Sequence, residues 1–417
     1  MSKLTTAKAA MAQIKPGHRV FVGSACGEPQ HLVGAMVEYA TGATDTEVTQ
    51  VMSMGVTPYA DPHRAEAFRP NTFFIGESVR QAVNEARADY TPVFFSQLPE
   101  LMRSRRLPID VALIMVSPPD RRGYVSLGVS VDITRAAARS ARLVIAQANA
   151  HMPRTYGDSF LHVDQIDLLV EHDEPLLEWP RTEADDDDVI GRIAHYIERL
   201  IDDGDTLQLG IGRLPDALLS RLVGKHDLGV HTEMFSDGVM QLVDAGVITG
   251  RRKSLNPEKI VASFAVGSKA LFEFMDNNPM VEMRGSDYTN RLDVIARQRG
   301  MVAINSALEI DLTGQVVADS LGTTLYSGIG GHADFIRGSA LAESGKPVIA
   351  IPSTANTPEG EEPVTVEFED HLVGCDQTIH LLRGPTDPPD PAITCAARNW
   401  VSLDTCRRSP GGAARIW

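Results

Sequence analysis

The chain has 417 residues, 43% apolar and 23% charged, a balance that supports a sizeable core and excludes disorder as the main state. Its 55 acidic residues outnumber 39 basic ones, for a net charge of −16, so neither a nucleic-acid backbone nor an anionic membrane is expected as its principal partner. Four cysteines, Cys26, Cys375, Cys395 and Cys406, form no CxxC pair, which argues against a disulfide scaffold and against structural zinc.

Met1 to Lys15 mixes polar and apolar residues without the apolar centre of a signal peptide. The longest apolar runs, such as Val111–Val116, fall far short of the ~20 residues a membrane span needs. A soluble cytoplasmic protein is the expectation.

Short apolar runs then alternate with segments of helical period. The runs are Arg19–Val22, Val111–Val116, Leu143–Ile145, Thr206–Leu209, Ile260–Phe264, Met301–Ile304 and Val348–Ile351. Continuous apolar strands between helices predict parallel sheets covered on both faces, hence an α/β fold. Two stretches look alike. Arg19–Tyr39 and Thr206–Gly224 each read as strand, glycine-bearing turn, proline (Pro29, Pro215) and amphipathic helix. They suggest two related α/β halves with a site between them.

After Pro180 the chain carries Glu183 and the run Asp185–Asp188. Consecutive acids point in different directions, so this block reads as an exposed linker over 181–188 rather than a metal site. It divides an N-terminal domain, 1–180, from a C-terminal domain, 189–355. From Pro352 onward the chain holds eight of its 25 prolines and shows no sustained period, so 356–417 reads as an irregular tail.

Two glycine loops stand out. In Gly210–Pro215, Gly210, Ile211 and Gly212 begin like a dinucleotide fingerprint, but Pro215 takes the place of the third glycine. No GxxxxGK[ST] occurs either, which argues against nicotinamide and triphosphate ligands. The second loop holds Gly328, Ile329, Gly330 and Gly331. It fits an anion- or oxyanion-binding nest and equally a tight turn requiring positive φ.

Leu228–Thr232 reads as the end of a strand, and Asp237 as the N-cap of a helix ended by Gly246. Glu233 therefore lies just beyond a strand's carboxyl end, where open α/β sheets bind ligands. A carboxylate there can attack an activated acyl group; a solvated or capping glutamate fits the pattern too. His231, two residues earlier, either orients a substrate or sits in the core. Cys26 has no histidine partner in sequence and reads as a plain buried thiol.

Taken together, long colinear stretches carry a resemblance: Val20–Gln30, Met52–Pro62, Val79–Phe94, Val116–Asp132, Met152–Asp167, Leu207–Leu218, His231–Val239, Phe274–Met283, Ile304–Val316 and Tyr326–Leu341. Over about residues 1–355 the chain resembles the acetyl-CoA hydrolase/transferase family, in its butyryl-CoA:acetate and 4-hydroxybutyrate CoA-transferase branch. The resemblance implies two CoA-transferase-type α/β domains with mainly parallel sheets and an active site at their interface.

It further implies that Glu233, in the "TEM" turn, is acylated and then carries CoA in a ping-pong cycle between a short-chain acyl-CoA and a small carboxylate. Acyl-CoA hydrolysis is the alternative. The loops Gly210–Gly212 and Gly328–Gly331 are similar to the family elements around the reacting carbonyl and CoA. Cys26, Gly27 and Glu28 match the family's acyl-side turn. Arg80 and Arg154 are candidates for carboxylate or phosphate contact, though exposed ion pairs fit as well.

Coenzyme A is implied as co-substrate, with no metal or tightly bound cofactor, in a homodimer. Two departures stand against the pattern. His332 replaces the usual Gln after "GIGG". The family's "VTEYGxAxLRG"-like and "AHPxFR"-like segments are not found in the tail, which resembles a frameshifted or divergent end. An inactive CoA-binding or assembly paralogue is therefore a further alternative.

Overall fold

The computed structural model describes residues 3–40, 43–179, 189–310 and 314–352, together with the backbone of strands Thr354–Thr357, Gly360–Pro363 and His380–Arg383. The expected acidic linker 181–188, and Cys375, Cys395 and Cys406, lie outside the described residues.

Every apolar run singled out in the sequence forms a strand. Val111–Val116 is buried at all six positions and pairs on both sides, with Arg19–Val22 and Leu143–Ala148. A strand covered above and below has no solvent face, so its sequence shows no alternation. The first sheet has eight parallel strands in the order Lys3–Leu4, Leu168–Glu171, Leu143–Ala148, Val111–Val116, Arg19–Val22, Thr46–Gln50, Phe68–Thr72 and Asp89–Tyr90.

The second sheet is also eight parallel strands. Its order is His380–Arg383, Lys346–Ile351, Met301–Ser306, Thr206–Leu209, Gly229–His231, Ile260–Ala262, Val281–Met283 and Tyr156–Gly157. Two α/β layers of parallel strands thus meet the expected fold class.

The second sheet crosses the division expected at 181–188. Its last strand, Tyr156–Gly157, comes from the first half and pairs with Glu282 and Met283. Its opposite edge, His380–Arg383, lies inside the segment read as an irregular tail. Strand Gly360–Pro363, in a hairpin with Thr354–Thr357, lies there too. These short strands escape a reading based on apolar runs, because an edge position needs backbone pairing more than burial.

The halves share one core. A single buried cluster runs from Phe21, Val116 and Val131 to Phe235, Phe264 and Phe272. Phe95 meets Phe264 edge-on at 6.3 Å between ring centroids. Backbone bonds stitch the same seam: Val131 and Asp132 donate to the Ser263 carbonyl, and Ala265 donates to Val129. The halves are therefore fixed against each other by apolar packing and by hydrogen bonds of known register.

Helix Asp237–Asp244 starts one residue earlier than read, with Ser236 as its N-cap. Asp237 caps a neighbouring element instead, accepting from the Ser268 N–H and hydroxyl.

Gly157 has φ +93°, and a Cβ there would overlap the Met283 carbonyl. Gly157→Ala is expected to cost about 1–3 kcal/mol through strain and loss of this edge pairing, read as a lower urea midpoint at unchanged m-value.

Candidate active site

Glu233 occupies the turn between strands Gly229–His231 and Met234–Phe235. Its own carbonyl accepts from the Ser263 and Phe264 N–H groups, each at 2.9 Å, so the turn is pinned beside the seam between the halves. The preceding Thr232 hydroxyl donates to the Leu209 carbonyl at 3.1 Å, which draws the Gly210–Gly212 turn alongside. Gly212 has φ +109° and opens helix Arg213–Arg221.

The Glu233 side chain is half-buried and accepts a hydrogen bond from Asn290 Nδ2 to Oε2 at 2.7 Å. Burial pushes its pKa up to about 7 against the opposing pull of Asn290; the charges of Asp334 and Asp132 push the same way as burial. Asn290 is itself fixed: the Thr289 hydroxyl donates to its Oδ1 at 2.8 Å, which turns the amide so that Nδ2 faces Glu233.

Below this pair lies His231. It is fully buried, and its ring Nε2 bonds the Thr289 carbonyl at 2.8 Å. Burial drives its pKa down to about 3, so the neutral ring donates there. Of the two readings of His231, the geometry agrees with the core one: it supports the peptide that carries Asn290 and does not line the cleft.

The second glycine loop closes over the carboxylate. Gly331 sits so near that a Cβ would overlap Glu233 Oε2 and Asn290 Nδ2. It is also the N-cap of helix His332–Leu341, whose first N–H groups and positive dipole end face this space. The first half anchors the loop. Phe95 N–H donates to the Gly330 carbonyl, Ile75 N–H to Ser327, and Ile329 N–H to the Tyr90 hydroxyl. Gly330, at φ +51°, lies against the Phe74 ring. Gly328 packs on Tyr90. His332 begins the helix, half-buried, with its pKa pushed down to about 4 by burial.

Cys26, Gly27 and Glu28 sit at the seam. Burial pushes the Cys26 thiol up to about 12, an unreactive state at neutral pH. Its sulfur lies 3.9 Å from that of Met54. Gly27 packs against Ser130. Glu28 is buried and accepts from the Ser53 hydroxyl and from the Met54 and Gly55 N–H groups; burial raises its pKa to about 7. It therefore holds the 53–55 turn in shape.

Neither arginine is brought to Glu233. Arg80 donates to the Tyr326 carbonyl at 2.8 Å and stacks on that ring at 4.0 Å, tying helix Glu77–Asn84 to the approach of the glycine loop. Arg154 pairs with Asp120 at 3.1 Å and donates to the Tyr124 carbonyl.

Sequence reading missed Asn290, Thr289, Ser96 and Asp334. Asp334 stood inside a quoted stretch, whereas nothing in the local pattern marks Asn290, 57 positions beyond its partner. Among the described residues no group of three His, Cys, Asp or Glu is placed to hold a metal ion, and no helix is long and apolar enough to cross a membrane. A cleft of about 360 Å³ bounded by Met152, Leu176, Lys269 and Phe272 is separate from Glu233. A half-buried carboxylate of raised basicity, beside a helix N-terminus, is equipped to attack an electrophilic carbonyl and to shelter the oxyanion that forms.

Residues 1–178 match the model of the acetyl-CoA hydrolase/transferase N-terminal domain, and residues 267–373 match that of the C-terminal domain, past the expected limit of 355. The chain is 50% identical over 353 residues to a 4-hydroxybutyrate coenzyme A transferase of Clostridium kluyveri, covering 85% of this chain and 82% of that one. It is 45% identical to a succinyl-CoA:acetate/propanoyl-CoA:succinate CoA transferase of Fasciola hepatica, covering 83% and 73%. Among solved structures it is similar to a 4-hydroxybutyrate CoA-transferase from Porphyromonas gingivalis, with TM-score 0.74, 37% identity and coverage of 87% and 84%. RipA from Yersinia pestis gives TM-score 0.83 at 32% identity, covering 91% and 88%.

The hydrogen bond from Asn290 lowers the proton affinity of Glu233, so its loss raises it. Carboxyl ¹³C NMR of glutamate-labelled protein is expected to show the main Glu233 inflection near pH 7, moving upward in Asn290→Ala by roughly one pH unit.

Proposed function

The chain belongs to the acetyl-CoA hydrolase/transferase family and is a CoA-transferase of that family, and from that premise we propose that it moves CoA between a short-chain acyl-CoA and a small carboxylate of the acetate, butyrate or 4-hydroxybutyrate kind, with Glu233 as the nucleophile. The observation that carries this reading is the Glu233 carboxylate itself. It is basic for its type, held by Asn290, and crowded by Gly331 at a helix N-terminus. The names of relatives such as the Clostridium kluyveri enzyme and the butyryl-CoA:acetate CoA-transferase of Anaerostipes caccae support the substrate class.

In the proposed cycle a Glu233 oxygen bonds to the thioester carbonyl carbon. The carbon–sulfur bond breaks, and CoA leaves as thiolate with the electron pair. The thiolate then attacks the glutamyl carbonyl of the mixed anhydride. The donor acid departs as its carboxylate, and CoA stays on Glu233 as a thioester. A second carboxylate reverses both steps. Each addition creates an oxyanion, and the N–H groups of Gly328, Gly330 and Gly331 and of the Gly210–Gly212 turn are the proposed donors to it. A thioester is exchanged for a thioester, so coenzyme A is the co-substrate and no tightly bound cofactor is needed.

Incubation with acyl-CoA is expected to add the mass of CoA less one water to the protein, and hydroxylamine to convert that adduct to a hydroxamate at Glu233. Glu233→Gln should lose turnover by at least about a thousandfold and form no adduct. Unchanged exchange by Glu233→Gln sinks the proposal. CoA release that needs no acceptor acid identifies hydrolysis instead.

A further inference from the structure

Asp334 lies on the first turn of helix His332–Leu341 and is 6% exposed. The Ser96 N–H and hydroxyl, from the first half, donate to its two oxygens at 3.1 and 2.9 Å. On the other side its helix begins at Gly331, where an added Cβ would overlap both Glu233 Oε2 and Asn290 Nδ2, so Asp334 stands one turn from the carboxylate.

We propose that Asp334 is a positioning residue for Glu233: it locks the glycine loop to the first half, and its negative charge makes conversion of the Glu233 carboxylate to a neutral acyl or CoA ester more favourable. The inference rests on the proposed glutamyl cycle. Acylation removes one negative charge from Glu233 and places it on the departing CoA thiolate, and formation of the glutamyl-CoA thioester passes it on to the departing donor carboxylate. A fixed anion nearby raises the free energy of the charged starting state and leaves the neutral ester almost untouched. The same field makes the ionised nucleophile more basic. Evolution of the site toward a softer, better-solvated glutamate would weaken both effects.

The charges around the pair come from several elements. Glu233 faces Asp334 on the helix and Asp132 from the first half. One turn along its own helix Asp334 meets Arg337, which partly offsets its charge. The neutral His332 stands two residues before Asp334. Burial raises the Asp334 pKa to about 6, so above that pH its charge is present and acts on Glu233.

The test measures the CoA adduct and its pH dependence in the full chain. At pH 8 and fixed acyl-CoA and acetate, Asp334→Asn, which keeps the hydrogen-bonding shape but not the charge, should show an adduct-to-free ratio about tenfold lower. The acid limb of its adduct-formation rate should move down by about one pH unit. Asp334→Glu, which restores the charge, should return the limb toward the parent's position.

Equal ratios and limbs in parent and Asp334→Asn overturn the proposal while leaving the glutamyl cycle intact. Absence of any adduct on the parent overturns both. The parent also gives a check free of substitutions: the ¹³C carboxyl resonances of Glu233 and Asp334 should titrate as a coupled pair, each with two inflections. Independent single-inflection curves overturn the proposal even if Asp334→Asn does not fold.

Discussion

The constraint on which the rest of the structure depends is the partial desolvation of one carboxylate. Glu233 needs enough burial to be a strong base and enough access to meet a thioester. One short hydrogen bond from Asn290 fixes its direction without neutralising it. Among the described residues no lysine or arginine forms an ion pair with it, and such a pair would lower its basicity. The surrounding acids act the other way. Layers of support follow from this: Thr289 sets the Asn290 amide, His231 holds the Thr289 peptide, and Gln298 lies against the other nitrogen of that ring at 3.4 Å.

The seam between the halves serves the same end. The nucleophile candidate comes from the second half, while the loop that covers it is fastened by Phe95, Ile75 and Tyr90 of the first. Neither half alone could set the distance between Gly331 and Glu233. A shared apolar core holds that distance against thermal motion better than surface ion pairs would, since exposed pairs contribute about 0–1 kcal/mol each. The buried Glu28 acts in a related way, shaping the wall of the seam around residues 53–55.

Much of this was legible in the sequence. Strands buried on both faces announce themselves as apolar runs, so the central strands of both sheets and the turn bearing Glu233 are found from pattern, whereas the inner strands Thr46–Gln50, Phe68–Thr72, Leu168–Glu171 and Val281–Met283 carry polar residues or are too short to stand out. The family resemblance then raised Glu233 from one of two open readings to the expected nucleophile. Asn290 was invisible because its role comes from a neighbour far away in the chain and its type is ordinary in turns. Asp334 was hidden by a different cause, since a helix-first-turn acid looks like a cap. Arg80 and Arg154 show the converse: a guanidinium in a matched stretch is as ready to grip a backbone carbonyl as a ligand, and chemistry of the residue type cannot separate the two.

The short strand Tyr156–Gly157 ties the order of events during synthesis to the final shape. It leaves the ribosome before any other member of the sheet whose border it completes. Until Val281–Met283 arrives, well over a hundred residues later, it has no strand of that sheet to pair with. A gene split near the acidic block would therefore not yield two self-sufficient pieces. The downstream fragment would carry a bare, sticky rim, and the upstream one a ribbon with nothing to lean on.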